Sequence, residues 1–88
     1  MAELSVQVAN RQGVHARPAA EIVKAASKFK ADVTIVRDDL EVNGKSIMGV
    51  MMLAAEMGST LVLRASGPDA DQAVAAIAKL IESKFGES

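Results

Sequence analysis

Gly13-Val14-His15-Ala16-Arg17-Pro18 separates two kinds of hydrophobic pattern in this chain. Before it, Leu4-Ser5-Val6-Gln7-Val8 alternates apolar and polar residues, as a strand with one buried face does. After it, Ala19, Ile22, Val23, Ala26 and Phe29 recur at helical spacing, with Glu21, Lys24 and Lys28 on the opposite side. Asn10-Arg11-Gln12-Gly13 reads as the loop between them, with Gly13 free to take a positive φ. Pro18 lacks an N–H, which a helix tolerates in its first turn, where that donor has no partner anyway. The helix therefore begins no later than about Pro18, and His15 stands at or beside its cap. A helix start offers unpaired N–H groups and the positive end of the macrodipole. An imidazole there, with an arginine two residues on, is placed to carry an anion, phosphate above all.

Further along, Val33-Thr34-Ile35-Val36 is rich in β-branched residues and reads as a second strand. Asp38-Asp39 makes a tight turn into a short third strand, Leu40-Glu41-Val42, and Asn43-Gly44 is a strong turn signal. The run Ile47-Met48-Gly49-Val50-Met51-Met52-Leu53 is too continuous for a half-exposed strand. It reads as a short helix capped by the Ser46 hydroxyl. Thr60-Leu61-Val62-Leu63-Arg64-Ala65 is the fourth strand. Asp69 is expected to cap a last helix with a buried stripe of Ala70, Ala73, Val74, Ile77, Leu80 and Ile81, ended by Gly86. The order is β-α-β-β-α-β-α. Alternating strands leave one sheet face apolar and one wet. The expected fold is a two-layer α+β domain with the helices on one face, one domain over residues 1–88.

Composition narrows the function classes. Net charge is −1, which removes the electrostatic pull on nucleic acid that a basic protein has. Phe29 and Phe85 are the only aromatics, too few for base-stacking platforms. The charge is uneven: residues 1–30 hold five basic and two acidic side chains, so the His15 end is the positive one. There is no cysteine, which excludes disulfides, zinc–thiolate sites and thiol catalysis and suits the cytoplasm. No apolar run approaches the roughly 20 residues that cross a bilayer. Met1-Ala2-Glu3-Leu4-Ser5 lacks the features of a signal peptide. A cytoplasmic protein without membrane insertion is expected.

His15 is the only histidine, and one histidine cannot build a metal site, so no metal and no cofactor are expected. The plain alternative is a cap histidine bonded to nearby backbone. Arg17 offers planar donors that match phosphoryl oxygens. No Gly-rich nucleotide loop with its Lys-Ser is present, and no serine, cysteine or second histidine stands nearby in sequence to form a triad. A nucleophile without a substrate pocket points to a carrier that takes a phosphoryl group from one protein and gives it to another.

These residues resemble a known family. Gly13-Val14-His15-Ala16-Arg17-Pro18-Ala19 is similar to the active-site motif of HPr, the phosphocarriers of the bacterial phosphoenolpyruvate-dependent sugar phosphotransferase system. Asn43-Gly44-Lys45-Ser46-Ile47-Met48-Gly49-Val50-Met51 resembles the same family's regulatory-serine segment. The resemblance runs the full length of the chain. It implies an open-faced β-sandwich whose antiparallel sheet has the order 1-4-2-3. It implies phosphorylation of His15 on Nδ1 by enzyme I and transfer to sugar-specific IIA components. The phosphoryl group would be held by Arg17 and by the backbone N–H groups of Ala16 and Arg17. Ile47, Met48 and Met51 match the family's apolar docking patch, for which core packing is the plain alternative. Methionine suits a face that must fit several partners. Ser46 matches a site for HPr kinase/phosphorylase, which would also bring in a catabolite-control regulator. A monomer is expected. Met51-Met52-Leu53-Ala54-Ala55 also resembles HPr-like carriers of nitrogen-related regulatory chains. A small sensor module with no reactivity at His15 is the alternative from another class.

Overall fold

The computed structural model describes residues 1–86. Its elements follow the expected order: β1 (Ala2–Gln7), α1 (Ala16–Ala26), β2 (Asp32–Arg37), β3 (Leu40–Asn43), α2 (Ile47–Met52), β4 (Thr60–Ser66) and α3 (Ala70–Glu82), then a 3₁₀ turn at Lys84–Gly86. The strands form one antiparallel sheet in the order β1-β4-β2-β3. That is the order the family resemblance implies.

Strand alternation becomes rows across this sheet. Leu4, Leu63, Ile35 and Val42 pair in register to make one apolar row from edge to edge. Ala2, Ala65 and Val33 make a second row on the same face. The next row over, Glu3, Arg64, Thr34 and Asn43, faces the other way and is polar. There Arg64 Nε donates to Glu3 Oε1 at 3.0 Å, and its NH1 stands 3.7 Å from Glu41. A slip of one residue in any strand would exchange the two faces, so burial itself sets the register. Burying each of Ile35, Leu61 and Leu63 is worth about 1.5–3 kcal/mol. Leu4 keeps 41% of its surface because β1 is an edge strand.

The helices cover the apolar face. α3 lies over β1 and β4, α1 packs against α2 and α3, and α2 reaches β3. Ala19, Ile22 and Ala26 of α1 and Ala73, Ile77 and Ile81 of α3 are buried. Small alanines on both stripes let the helices approach each other and the sheet closely.

Several expectations are corrected. Val8 lies beyond β1, yet it is held as tightly as a strand residue: its N–H donates to Ser59 O at 2.9 Å and its carbonyl accepts from Gly58 N–H at 2.7 Å. Val23 and Phe29 are half-buried rather than core. In α3, Ala78 is buried and Leu80 only partly so. Gly86 does not end α3, which stops at Glu82 with Ser83 as its cap. Lys84, Phe85 and Gly86 all take positive φ, and this reversal tucks Phe85 into the core.

Asp69 stands at the N-cap of α3 but makes no side-chain capping bond. Its carboxylate crosses to the α1–β2 loop instead, where Oδ2 accepts from Lys30 N–H at 2.9 Å and Oδ1 from Ala31 N–H at 2.8 Å. The bond from Lys30 N–H is the main cause holding the Asp69 carboxyl below its ordinary value, with the Ala31 bond and Lys45 adding to it against partial desolvation. A carboxyl with a lowered folded pKa adds stability above its unfolded value of about 3.9 and loses it as pH falls through the folded value. Asp69→Ala should therefore lower the melting temperature at pH 7. The gap from the parent protein should shrink steadily as thermal scans are repeated below about pH 4.

Candidate functional site

The segment between β1 and α1 is fastened at both ends. Asn10 is fully buried in a loop. Its Nδ2 donates to Gly13 O at 2.8 Å, and Gly13 N–H returns a bond to Asn10 O at 3.2 Å. Gly13 has φ +68°, and a Cβ there would overlap the Ala55 carbonyl oxygen. The next residue, Val14, donates its N–H to that same oxygen at 2.8 Å. The loop before α1 is thus pressed on the segment after α2.

His15 follows as the N-cap of α1, in extended conformation and half-buried. Its carbonyl accepts the first helical bond, from Ala19 N–H at 2.9 Å. Ala16 and Arg17 occupy the first two helical positions, whose N–H groups have no carbonyl one turn back in any α-helix. Pro18, buried in the third, contributes no N–H. Ala16 and Arg17, whose backbone N–H groups the family resemblance assigns to the phosphoryl group, thus follow His15 directly at the helix start.

Arg17 is engaged along the helix. One terminal nitrogen of its guanidinium, NH1, pairs with Glu21 Oε1 at 2.6 Å, and the other, NH2, donates to Phe85 O at 3.1 Å. The ion pair is well exposed, and pairs of this i,i+4 kind are worth only about 0.3–0.5 kcal/mol. A guanidinium–phosphate bond is charge-assisted and roughly twice as strong as a neutral one.

Ser46 caps α2 as expected, its Oγ accepting from Gly49 N–H at 3.1 Å. Val50 and Leu53 anchor this short helix in the core. Ile47, Met48 and Met51 are exposed, as are Met52 and Met57. The run is therefore an outward apolar patch rather than core. α1 and α2 pack together, so the patch and His15 belong to neighbouring elements.

Sequence reasoning missed three supports. Asn10 is read from the sequence as part of the turn before Gly13, but not as the buried side chain that holds it. Ala55 carried no signal. Neither did Arg37, whose NH1 donates to Leu53 O at 2.8 Å and Ala54 O at 3.0 Å, closing the end of α2 from the sheet. Among the described residues no cluster of three acidic or histidine side chains could hold a metal. None of the described helices is long and apolar enough to cross a membrane.

Residues 2–83 match the family model for the PTS HPr component phosphorylation site. The chain belongs to the HPr family. The phosphocarrier protein HPr of Treponema pallidum (strain Nichols) is 55% identical over 83 residues, covering 94% of each chain. A phosphocarrier protein NPr from Shewanella violacea is 40% identical over 86 residues, 98% of this chain and 94% of the relative. The crystal structure of HPr-C-His from Thermoanaerobacter tengcongensis superposes with a TM-score of 0.95 at 45% identity, covering 100% of this chain and 99% of that one. This HPr-family chain is thus a phosphocarrier of the phosphotransferase system, not a catalytic enzyme, and the sensor alternative falls. The higher identity to HPr than to NPr favours the sugar system over the nitrogen-related one.

Gly13→Ala meets two costs at once: a left-handed backbone, about 1–2 kcal/mol, and overlap with Ala55, about 1–3 kcal/mol. A loss of about 3 kcal/mol is expected in denaturant unfolding. Amide exchange should rise first in residues 10–15 and 54–59.

Proposed function

We propose that His15 accepts a phosphoryl group from phosphorylated enzyme I and passes it to a IIA component of the sugar phosphotransferase system. The Nδ1 lone pair attacks phosphorus as the donor's bond to phosphorus breaks, and the ring proton stays on Nε2. The second transfer runs the same exchange with the IIA protein as acceptor. The observation that carries this reading is the position of His15 as the N-cap of α1, immediately before the N–H groups of Ala16 and Arg17. Those donors and the helix macrodipole favour the added negative charge. The Arg17 guanidinium neutralises part of that charge once it leaves Glu21.

Ile47, Met48 and Met51 form the apolar patch on which enzyme I and the IIA proteins dock. Their exposure on a helix anchored by Val50 supports this. Ser46 is the regulatory site, taken by an HPr kinase/phosphorylase where one is present, with a catabolite-control regulator reading the product. A phosphate there suits a helix start locally, yet sets about two negative charges beside the docking patch and repels acidic partners. The protein works as a cytoplasmic monomer, with no nucleic acid among its direct partners.

Incubation with enzyme I, phosphoenolpyruvate and Mg²⁺ should yield one acid-labile, base-stable phosphate per chain. The label should be absent from His15→Ala, and equal labelling of that variant would remove His15 from this role. Arg17→Ala should fold normally and slow transfer in both directions by about ten- to a hundred-fold, as loss of a charged donor to a reacting group does. Stopped transfer reactions at matched protein concentrations measure it.

A further inference from the structure

All the methionines after Met1 lie between residues 48 and 57. They are Met48, Met51, Met52 and Met57, exposed by 78%, 44%, 65% and 58%. None of them belongs to the core, where methionine normally fills gaps. The chain has no cysteine, so no thiol competes with these thioethers for an oxidant. Met48, Met51 and Met52 share the outward side of α2, with Val50 on the inward side. Met57 follows in the loop into β4, just beyond the Ala55 oxygen that holds Val14.

We propose that these four thioethers are a redox-modification site: a peroxide converts them to sulfoxides and thereby closes the docking face. Each sulfur gives up two electrons and gains a bond to one peroxide oxygen. The O–O bond breaks, and the other oxygen leaves as water. An apolar, adaptable side chain becomes a polar one that docking would have to strip of water. Fold stability is little affected, because none of the four is buried. The phosphate chemistry at His15 is left intact, so the change falls on association with the donor. The inference rests on the docking role given to this patch above. Peptide methionine-sulfoxide reductases restore the thioethers and make the switch reversible.

The test treats the whole protein with limiting hydrogen peroxide and maps sulfoxides by peptide mass spectrometry. Phosphoryl transfer from enzyme I is then followed as a function of protein concentration. The expected result is sulfoxide at the four positions and a KM at least ten-fold higher at nearly unchanged kcat. The two sulfoxide reductases should reverse the change, and the circular dichroism spectrum should not move. A variant with all four methionines replaced by leucine has no thioether left in the patch to oxidise, so, whatever its own untreated rate, peroxide should leave that rate unchanged. Met1 is oxidised in both proteins, so this variant also controls for it. Unmodified thioethers under conditions that oxidise free methionine would overturn the inference. So would unchanged transfer by the sulfoxide form, or an equal loss in the leucine variant. If the untreated protein accepts no phosphate from enzyme I, the docking reading itself fails and takes this inference with it. Normal transfer before and after oxidation removes this inference alone.

Discussion

The contact between Gly13 and Ala55 is the constraint on which the candidate site depends. One carbonyl oxygen both fills the space where a side chain at residue 13 would sit and accepts the Val14 N–H. A loop before one helix is thereby locked to the exit of another. Asn10, buried and bonded to Gly13 O, closes the near side of the same loop. His15 is delivered to the α1 cap by these contacts and by Pro18, which limits where the helix can start. This geometry rests on a buried amide, a glycine and backbone groups.

Rigid support and exposed apolar side chains are divided cleanly in this molecule. The sheet carries the apolar row Leu4–Leu63–Ile35–Val42, and burial along it costs several kcal/mol to undo. The methionines of α2 lie at the other extreme, because unburied thioethers reposition at almost no cost to the fold. In the docking role proposed above, successive partners would meet one face, which works best when its contacts are soft and the elements beneath it are stiff. Val50 and Leu53 below α2, and Arg37 at its end, supply the stiffness.

Asp69 shows how local rules yield to tertiary opportunity. An aspartate before a helix ordinarily bonds to its own first turn. Here two backbone N–H groups from the α1–β2 loop compete for the carboxylate and win. Two bonds that join separate parts of the chain replace one local bond. The C-terminal stretch behaves similarly. Helical periodicity continues to Gly86 on paper, but burial of Phe85 turns the chain back after Ser83 and places the Phe85 carbonyl against Arg17.

Element type and order were legible in the sequence because they depend on periodicity, on Pro18 and on turn residues such as Asn43-Gly44, all local in the chain. The placement of His15, Arg17 and Ser46 at helix starts was legible for the same reason: a helix start advertises itself within a few residues. The strand order came from family resemblance, since alternation says which residues are buried but not which strands are neighbours. Tertiary structure alone decided what binds across the chain: Ala55 to Gly13 and Val14, Arg37 to α2, Asp69 to Lys30 and Ala31, Phe85 to Arg17. It also decided that the methionines face outward, because a short apolar run cannot tell core from patch. Those outcomes depend on which surfaces meet, and that is a property of the packed molecule rather than of any window along it.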